Sequence, residues 1–262
     1  MLLPALSKAK LKATGIACLN NTRQLAIAAH TYGADNGDAW VLNNEGNPGL
    51  DVLAPPADWT PKVWAEGRDN SNLTDEKTAQ AMLSAKVSLL GSYVSAKGSF
   101  RCPGDRPKRV NGTLTYIPRS YGMNAFVGWN TAPYSGQGEP GSRWRIFRKI
   151  SDSGPASEIF LFGEIHPDHV CRPMFGINMD ETAIYHVPGN YHGGISVFAF
   201  AEGHAEQHRW KNLSFIHRTP ALSRDAHNHH GDAPEGRDRS DHGWLKSRAT
   251  IDKTTGAQYI VR

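Results

Sequence analysis

Five side chains in the second half of the chain could do chemistry together: Glu164, His166, His192, Glu202 and His204. Carboxylates and imidazoles make a workable ligand set for a divalent ion, zinc or calcium. These residues fall at strand ends and turns that a hairpin and a neighbouring strand can bring together. Their spacing matches no fixed ligand pattern such as His-Glu-x-x-His. The plainer and weightier reading is a turn carboxylate anchored by a histidine that simply fixes the hairpin. Asp35, Asn36 and Asp38 could offer oxygens to calcium, but a loop that stops a helix explains them more simply. His227, His229 and His230, with Asp225 and Asp232, resemble an adventitious metal-binding tract.

Cys18 and Cys102 are the two cysteines to link if any are linked. One falls on a helix stripe expected to be buried, the other at the end of an expected core strand. Two separate buried thiols are the weightier alternative. Cys171, in a loop, is left over. Enzymatic motifs are missing from the sequence: there is no Gly-x-Ser-x-Gly elbow, no phosphate-binding glycine loop and no Cys-x-x-Cys. Glu158 and Glu164, six apart on one strand, would stand about 20 Å from each other, too far for a glycosidase pair.

The elements that must position these residues begin with a long helix. From Ala5 to Tyr32 there is no proline, and Ala, Leu, Lys, Arg and Gln dominate. This predicts one helix of about 28 residues, against a usual mean of about 11–12. Leu11, Gly15, Cys18, Thr22, Leu25, Ala29 and Tyr32 line one face of it. Gly33 and the Asp35-Asn36-Gly37-Asp38 run end it. Residues 39–62 read as a surface loop pinned by Trp40, Leu50, Leu53, Trp59 and Trp64. Thr74 could cap a second helix, Asp75 to Ser95, presenting Met82, Leu83, Val87, Leu90 and Val94. Phe100 to Asp105 reads as a short strand stopped by a Pro-Gly turn. Residues 119–128 read as another strand, and 130–142 as a loop.

The strongest strand is Glu158 to Glu164. Ile195–Ala201 and His204–Trp210 are predicted to form a hairpin through a two-residue Glu202-Gly203 turn. That register pairs Ala201 with His204 and puts Phe198 and Phe200 on the face away from His204, Glu206 and His208, as the seat for the long helix. Residues 222–242 are polar and expected to be mobile, and Gly243-Trp244-Leu245-Lys246 to dock back.

The totals suit a loop-rich α+β protein: 262 residues, 39% hydrophobic, with Gly 26 and Pro 16. A net charge of +4, with no basic run interleaved with aromatics, argues against nucleic acid as a partner. Three cysteines rule out a disulfide scaffold. No apolar run approaches the roughly 20 residues that span a bilayer.

Several motifs in order carry a family resemblance. They are Leu2-Leu3-Pro4-Ala5-Leu6, Cys18-Leu19-Asn20-Asn21 with Gln24-Leu25, Tyr32 before Asp35-Asn36-Gly37-Asp38, Cys102-Pro103-Gly104-Asp105, Arg119-Ser120-Tyr121-Gly122-Met123-Asn124 and Glu164-Ile165-His166-Pro167-Asp168. His192, nine intervening residues, then Glu202-Gly203-His204 is similar to a His-x9-Asp-Gly signature, with Glu202 in place of aspartate. Together they resemble bacterial pseudopilin-like proteins, the relatives of type IV pilins and type II secretion pseudopilins common in planctomycete and verrucomicrobial genomes.

The resemblance implies a pilin-like α+β fold, with a long N-terminal helix packed on an antiparallel β-sheet with extended loops. Residues 1–36 would be the helix and 37–262 the β-rich globular part. It implies a leader and an apolar membrane segment upstream of Met1, and a place in the cell envelope, anchored in the inner membrane with the globular part in the periplasm or outside. The expected function is a structural, non-enzymatic fibre subunit. Its partners would be copies of itself or other pseudopilins, and the inner-membrane assembly machinery. Leu6, Ala9, Ala13, Ile16 and Ala17 would meet neighbouring helices. The alternatives are an envelope-polysaccharide-binding module using exposed Trp40, Trp59, Trp64 and Trp129, or a metal-dependent hydrolase around His192 and Glu202.

Overall fold

A computed structural model of the chain describes residues 2–44, 46, 50, 54–66, 80–105, 108–110, 113–115, 119–129, 142–167, 169–170, 172–180, 186–211 and 240–260. Leu53, residues 130–141, Cys171 and the histidine tract 227–230 lie outside the described residues, as does most of the polar stretch 222–242.

Helix α1 (Leu2–Asp35) is one unbroken rod, slightly longer than the sequence suggests. Strands β1 (Lys108–Val110) and β2 (Thr113–Thr115) form a small antiparallel pair of their own. The main sheet contains β3 (Tyr121–Asn124), β4 (Phe160–Glu164), β5 (Met174–Phe175), β6 (Ile195–Phe200) and β7 (Ala205–Arg209), in the order β5-β3-β4-β6-β7. Its β3–β5 pairing is parallel and the others antiparallel, so the sheet is mixed where an antiparallel one was expected. The α+β class holds. A short helix α2 (Ser240–Ser247) closes the far side, and it carries the Trp244-Leu245 segment that docks back as expected.

The predicted stripe is the buried face of α1. Gly15, Cys18, Thr22, Leu25 and Ala29 are buried and Tyr32 is half-buried; only Leu11 runs past the sheet into solvent. This face packs on β6, β7 and β4. His30 Nε2 lies 2.8 Å from the Ala201 carbonyl, and Asn21 Nδ2 donates to the carbonyls of Gly98 and Arg101. Beyond Asp35 the chain turns through Gly37 and Asp38, both at positive φ. Asn36 Nδ2 donates back to Tyr32 O, and the Asp38 carboxylate accepts from Ser151. Asp35 accepts from the Tyr93 hydroxyl. These bonds make the Asp35–Asp38 run a helix-stop loop, with its side chains used for that purpose.

The β6–β7 hairpin exists, but its register is one residue off the expected one. Phe198 faces Glu206 and Ala199 faces Ala205, with Phe200 N–H donating to His204 O. Residues 201–203 therefore make a three-residue loop, which Gly203 permits by taking a φ of 103°. A one-residue slip exchanges the faces of a strand. Phe198 and Phe200 accordingly lie with Trp210, Trp244 and Leu245 on the side away from α1, and Phe200 stacks on His204 at 4.4 Å. Beneath α1 are the smaller Val197, Ala199 and Ala201.

Two local expectations fail. Residues 82–95 form a succession of turns where a helix was predicted, although Met82, Val87, Leu90 and Val94 are buried as expected. Leu89 and Leu90 spend their N–H groups on the carbonyls of Val63 and Trp64, and the chain folds back until Gly91 abuts Ser84. Phe100–Asp105 is likewise no strand: a 3-10 turn, Lys97–Phe100, leads into the Pro103-Gly104 turn. The pinning tryptophans behave as predicted, with Trp40 and Trp64 buried and Trp59 half-buried.

Gly91→Ala separates the two structures of that segment. In a helix it would stabilise the protein by about 0.8–1.0 kcal/mol. Here a Cβ at Gly91 would meet the Ser84 carbonyl at 2.6 Å. Urea denaturation should therefore show a loss of roughly 1–3 kcal/mol.

His208 supplies a pH test. It lies against Trp210 and stacks on Trp244 at 3.6 Å. Burial first, then the Arg248 and Lys211 charges, push its imidazole from the ordinary 6.5 down to about 4. Asp241 Oδ1, at 4.0 Å, is at the outer limit of an ion pair and already accepts the Lys211 N–H, so it does not reverse that shift. Glu206, two residues along on the same face, is exposed. A depressed base favours the unfolded chain once protonated, so this stability is complete above pH ~6.5 and is lost as pH falls towards ~4. Allowing for partial exposure, the loss is roughly 2 kcal/mol. Chemical denaturation at both ends of that window should show it in the wild type and not in His208→Phe.

Candidate functional site

Four side chains from four separate segments converge where α1 crosses the sheet. Cys18 comes from the middle of α1's buried face and Cys102 from the residue before the Pro103-Gly104 turn. Glu164 ends β4, and His192 lies in the turn leading into β6. One ligand atom from each lies within 4.8 Å of every other. Cys18, Cys102 and Glu164 are wholly buried and His192 is 4% exposed.

Local structure explains each placement. In β4 the side chains alternate, so Phe162 and Glu164 share the helix-facing side while Gly163 lies opposite Phe198 on the other. Tyr121, paired with Glu164 across β3–β4, points to the same side. Gly15 lies against the cluster: a Cβ there would stand in ordinary contact with the His192 ring at 3.6 Å but would press on Gln207 Nε2 at 2.7 Å. The Cys102 carbonyl accepts the Asp105 N–H, and that turn aims the Gly104 N–H at Cys102 Sγ, 3.2 Å away.

The cluster is closely bonded. The Cys18 thiol donates to Glu164 Oε1 at 2.7 Å and lies 3.0 Å from the Tyr121 hydroxyl. His192 Nε2 sits 3.1 Å from Glu164 Oε1 and 3.3 Å from Cys102 Sγ. Val197 N–H donates to Glu164 Oε2 at 2.8 Å. Thr14 Oγ1 is 3.3 Å from His192 Nδ1 and lies within hydrogen-bond reach of the Lys10 and Leu11 carbonyls. With its only proton committed to those carbonyls, the Thr14 oxygen must accept, which places a proton on His192 Nδ1.

The electrostatics follow from burial among like neighbours. Desolvation, then the Cys102 hydrogen bond and the Glu164 charge, push the Cys18 thiol well above its ordinary value. Tyr121 is raised in the same way, by burial first and then by Cys18, Cys102 and Glu164. For His192, burial works downward, but its bonds to Cys102 and Glu164 and the Glu164 charge outweigh it and raise the imidazole to about 10. At neutral pH the group therefore contains an imidazolium–carboxylate pair beside a protonated Cys18 thiol. The Cys/Glu/His composition is one that could hold a metal ion.

Of the five ligands expected from sequence, only Glu164 and His192 join the four-residue cluster. The chain turns after Ile165, and His166 stands edge-on to His169 with centroids 5.7 Å apart. Glu202 is exposed at the hairpin tip, its Oε1 2.7 Å from His204 Nδ1 in a geometry too bent for a hydrogen bond. The pair stays at the hairpin's own tip and takes no part in the Glu164–His192 cluster. Cys18 and Cys102 are brought together as expected, but as free thiols aimed at a centre shared with Glu164 and His192 and not as a disulfide. Tyr121 and Thr14 were not anticipated, since nothing in the local pattern marks a tyrosine or threonine that serves another side chain.

The structure places residues of both alternative sites differently from expectation. Trp40, Trp64 and Trp129 are buried, so they cannot form an exposed aromatic platform for a polysaccharide. Glu202 takes no part in the His192 cluster, so the hydrolase centre expected around that pair does not form. No protein-family model, curated protein or solved structure matches the chain.

Glu164→Ala should cost roughly 3–5 kcal/mol in urea denaturation, because it strands the His192 charge and the Val197 N–H in the interior. Glu164→Gln, which still accepts from Val197, should cost clearly less.

Proposed function

We propose that the chain is a non-enzymatic, pseudopilin-like fibre subunit, in which α1 is the element that stacks against copies of itself. The observation that carries this reading is the second apolar face of α1. Leu6, Ala9, Ala13, Ile16 and Ala17 are all exposed, Leu6 at 67% and Ile16 at 60%; Ile27, 54% exposed, lies on the same side beyond the polar Asn20, Arg23 and Gln24. They lie opposite the Cys18–Thr22–Ala29 face, so seating α1 on its own sheet leaves them uncovered.

The first turns of α1 support the same reading. Every residue from Pro4 to Ala13 is exposed, so about 15 Å of helix stands clear of the sheet. A stretch of that length is marginal in water on its own, and a neighbouring helix would supply the missing packing. The order and spacing of the motifs add the kinship argument: other pseudopilins or copies of this chain as partners, inner-membrane machinery for assembly, and a place in the cell envelope.

Sedimentation across a wide concentration range tests the proposal. The protein should self-associate, and Leu6→Asp with Ile16→Asp should leave it monomeric while its stability changes by no more than about 0.5 kcal/mol. A wild type that stays monomeric throughout, or a double variant that associates equally well, would remove the stacking role from this face.

A further inference from the structure

We propose that Cys18, Cys102, Glu164 and His192 form a closed four-coordinate zinc site that clamps α1 to the sheet. The first argument is geometric. The donor atoms already stand within 4.8 Å of one another, and three of their separations lie between 2.7 and 3.3 Å. Metal–ligand bonds of about 2.0–2.3 Å in a tetrahedron place donors roughly 3.3–3.8 Å apart, between the closest and the widest of these separations. Side-chain adjustments of up to about 1 Å bring the four donors onto one ion.

The second argument is that each ligand has its own outer partner, as metal ligands ordinarily do. Gly104 N–H points at Cys102 Sγ and the Tyr121 hydroxyl lies beside Cys18 Sγ. Val197 N–H holds the Glu164 oxygen that faces away from the sulfurs. Thr14 accepts from His192 Nδ1, which leaves Nε2, the nitrogen facing the cluster, as the coordinating atom.

The donor types select the metal. Two sulfurs and an imidazole suit zinc, whereas calcium and magnesium take oxygen ligands. Burial of all four residues leaves no open position for water or substrate, which makes the site structural. Two thiolates, one carboxylate and a divalent ion leave a single net negative charge, which the surrounding N–H and O–H groups face. Binding displaces the protons that the ligand atoms carry. A cleft of about 640 Å³ between α1 and residues 96–105, lined by Ala17, Asn21, Gln24 and Cys102 among others, gives the ion an approach.

The test uses the whole chain, stripped with a chelator in denaturant, refolded and offered zinc or cobalt(II). One ion per chain should survive dialysis, zinc should raise the melting temperature, and cobalt should show the thiolate charge-transfer and strong visible bands of a tetrahedral centre. Cys102→Ser should abolish the charge-transfer signal in part and weaken zinc binding at least a hundredfold. Thr14→Val, which leaves all four ligands in place, should fold normally and bind about tenfold more weakly. Replacing His227, His229 and His230 together by Ala should change none of this. The site would be overturned by a refolded chain that retains no ion and gains no thermal stability from zinc. It would equally be overturned if binding survived Cys102→Ser and Thr14→Val unchanged but vanished with the three histidines. Either result is independent of whether α1 self-associates, because the cluster lies on the helix's other face.

Discussion

The architecture depends on how closely α1 lies on the sheet. Cys18, Ala26 and Ala29 on the helix pack in one cluster with Val197 and Ala199 on β6 and Ala201 just beyond it, and neither surface holds the other away. Close approach has consequences that longer side chains would prevent. His30 can reach the Ala201 carbonyl at 2.8 Å, and a residue as short as Cys18 can reach the carboxylate ending β4 at 2.7 Å. Had the phenylalanine face of β6 lain beneath the helix, its rings would have separated the two layers and broken both contacts. The bulky aromatics instead fill the opposite side, where loops and α2 can adjust around them.

The same interface explains what the sequence reveals and what it hides. Helix α1, its buried stripe and the strand at Phe160–Glu164 are legible because each is a long or dense apolar pattern that one period describes. The hairpin is legible as a hairpin, but not its register. Ile195–Ala201 carries apolar residues on both faces, so alternation cannot say which side meets the helix, and the register rests on a loop one residue longer than the Glu202-Gly203 turn. The segment around Gly91 misleads because its apolar spacing is helical while its partners are the distant carbonyls of Val63 and Trp64. Periodicity is blind to a backbone bond made across that separation.

The candidate site was half visible for a related reason. Glu164 and His192 stand out as polar residues in strongly apolar surroundings, and Cys18 and Cys102 as paired thiols, yet nothing local joins the two pairs. They meet only because β4, β6 and α1 pack as three adjacent elements. His166 and His204, nearer in sequence to the right residues, are carried elsewhere by the turn after Ile165 and by the hairpin loop. Neighbourhood in sequence was therefore a poor guide to the ligand set, and the face a residue occupies was a better one.

A polar cluster at the centre of an otherwise apolar interface does something the apolar contacts cannot. Alanine and valine surfaces adhere in many relative positions, since dispersion and burial of area are nearly indifferent to a sliding helix. The Cys18–Glu164–His192–Cys102 group is not indifferent. Moving α1 by one turn, about 5.4 Å, would carry Cys18 away from the Glu164 carboxylate and Thr14 away from His192, at roughly 1–3 kcal/mol for each buried bond lost. Apolar contact holds the helix to the sheet and the cluster dictates where along its length it is held. Because a helix is rigid about its own axis, that choice also decides which residues face away. Leu6, Ala13 and Ile16 point outward because Cys18 points inward, so the residues left facing solvent are set by the chemistry of the inner face.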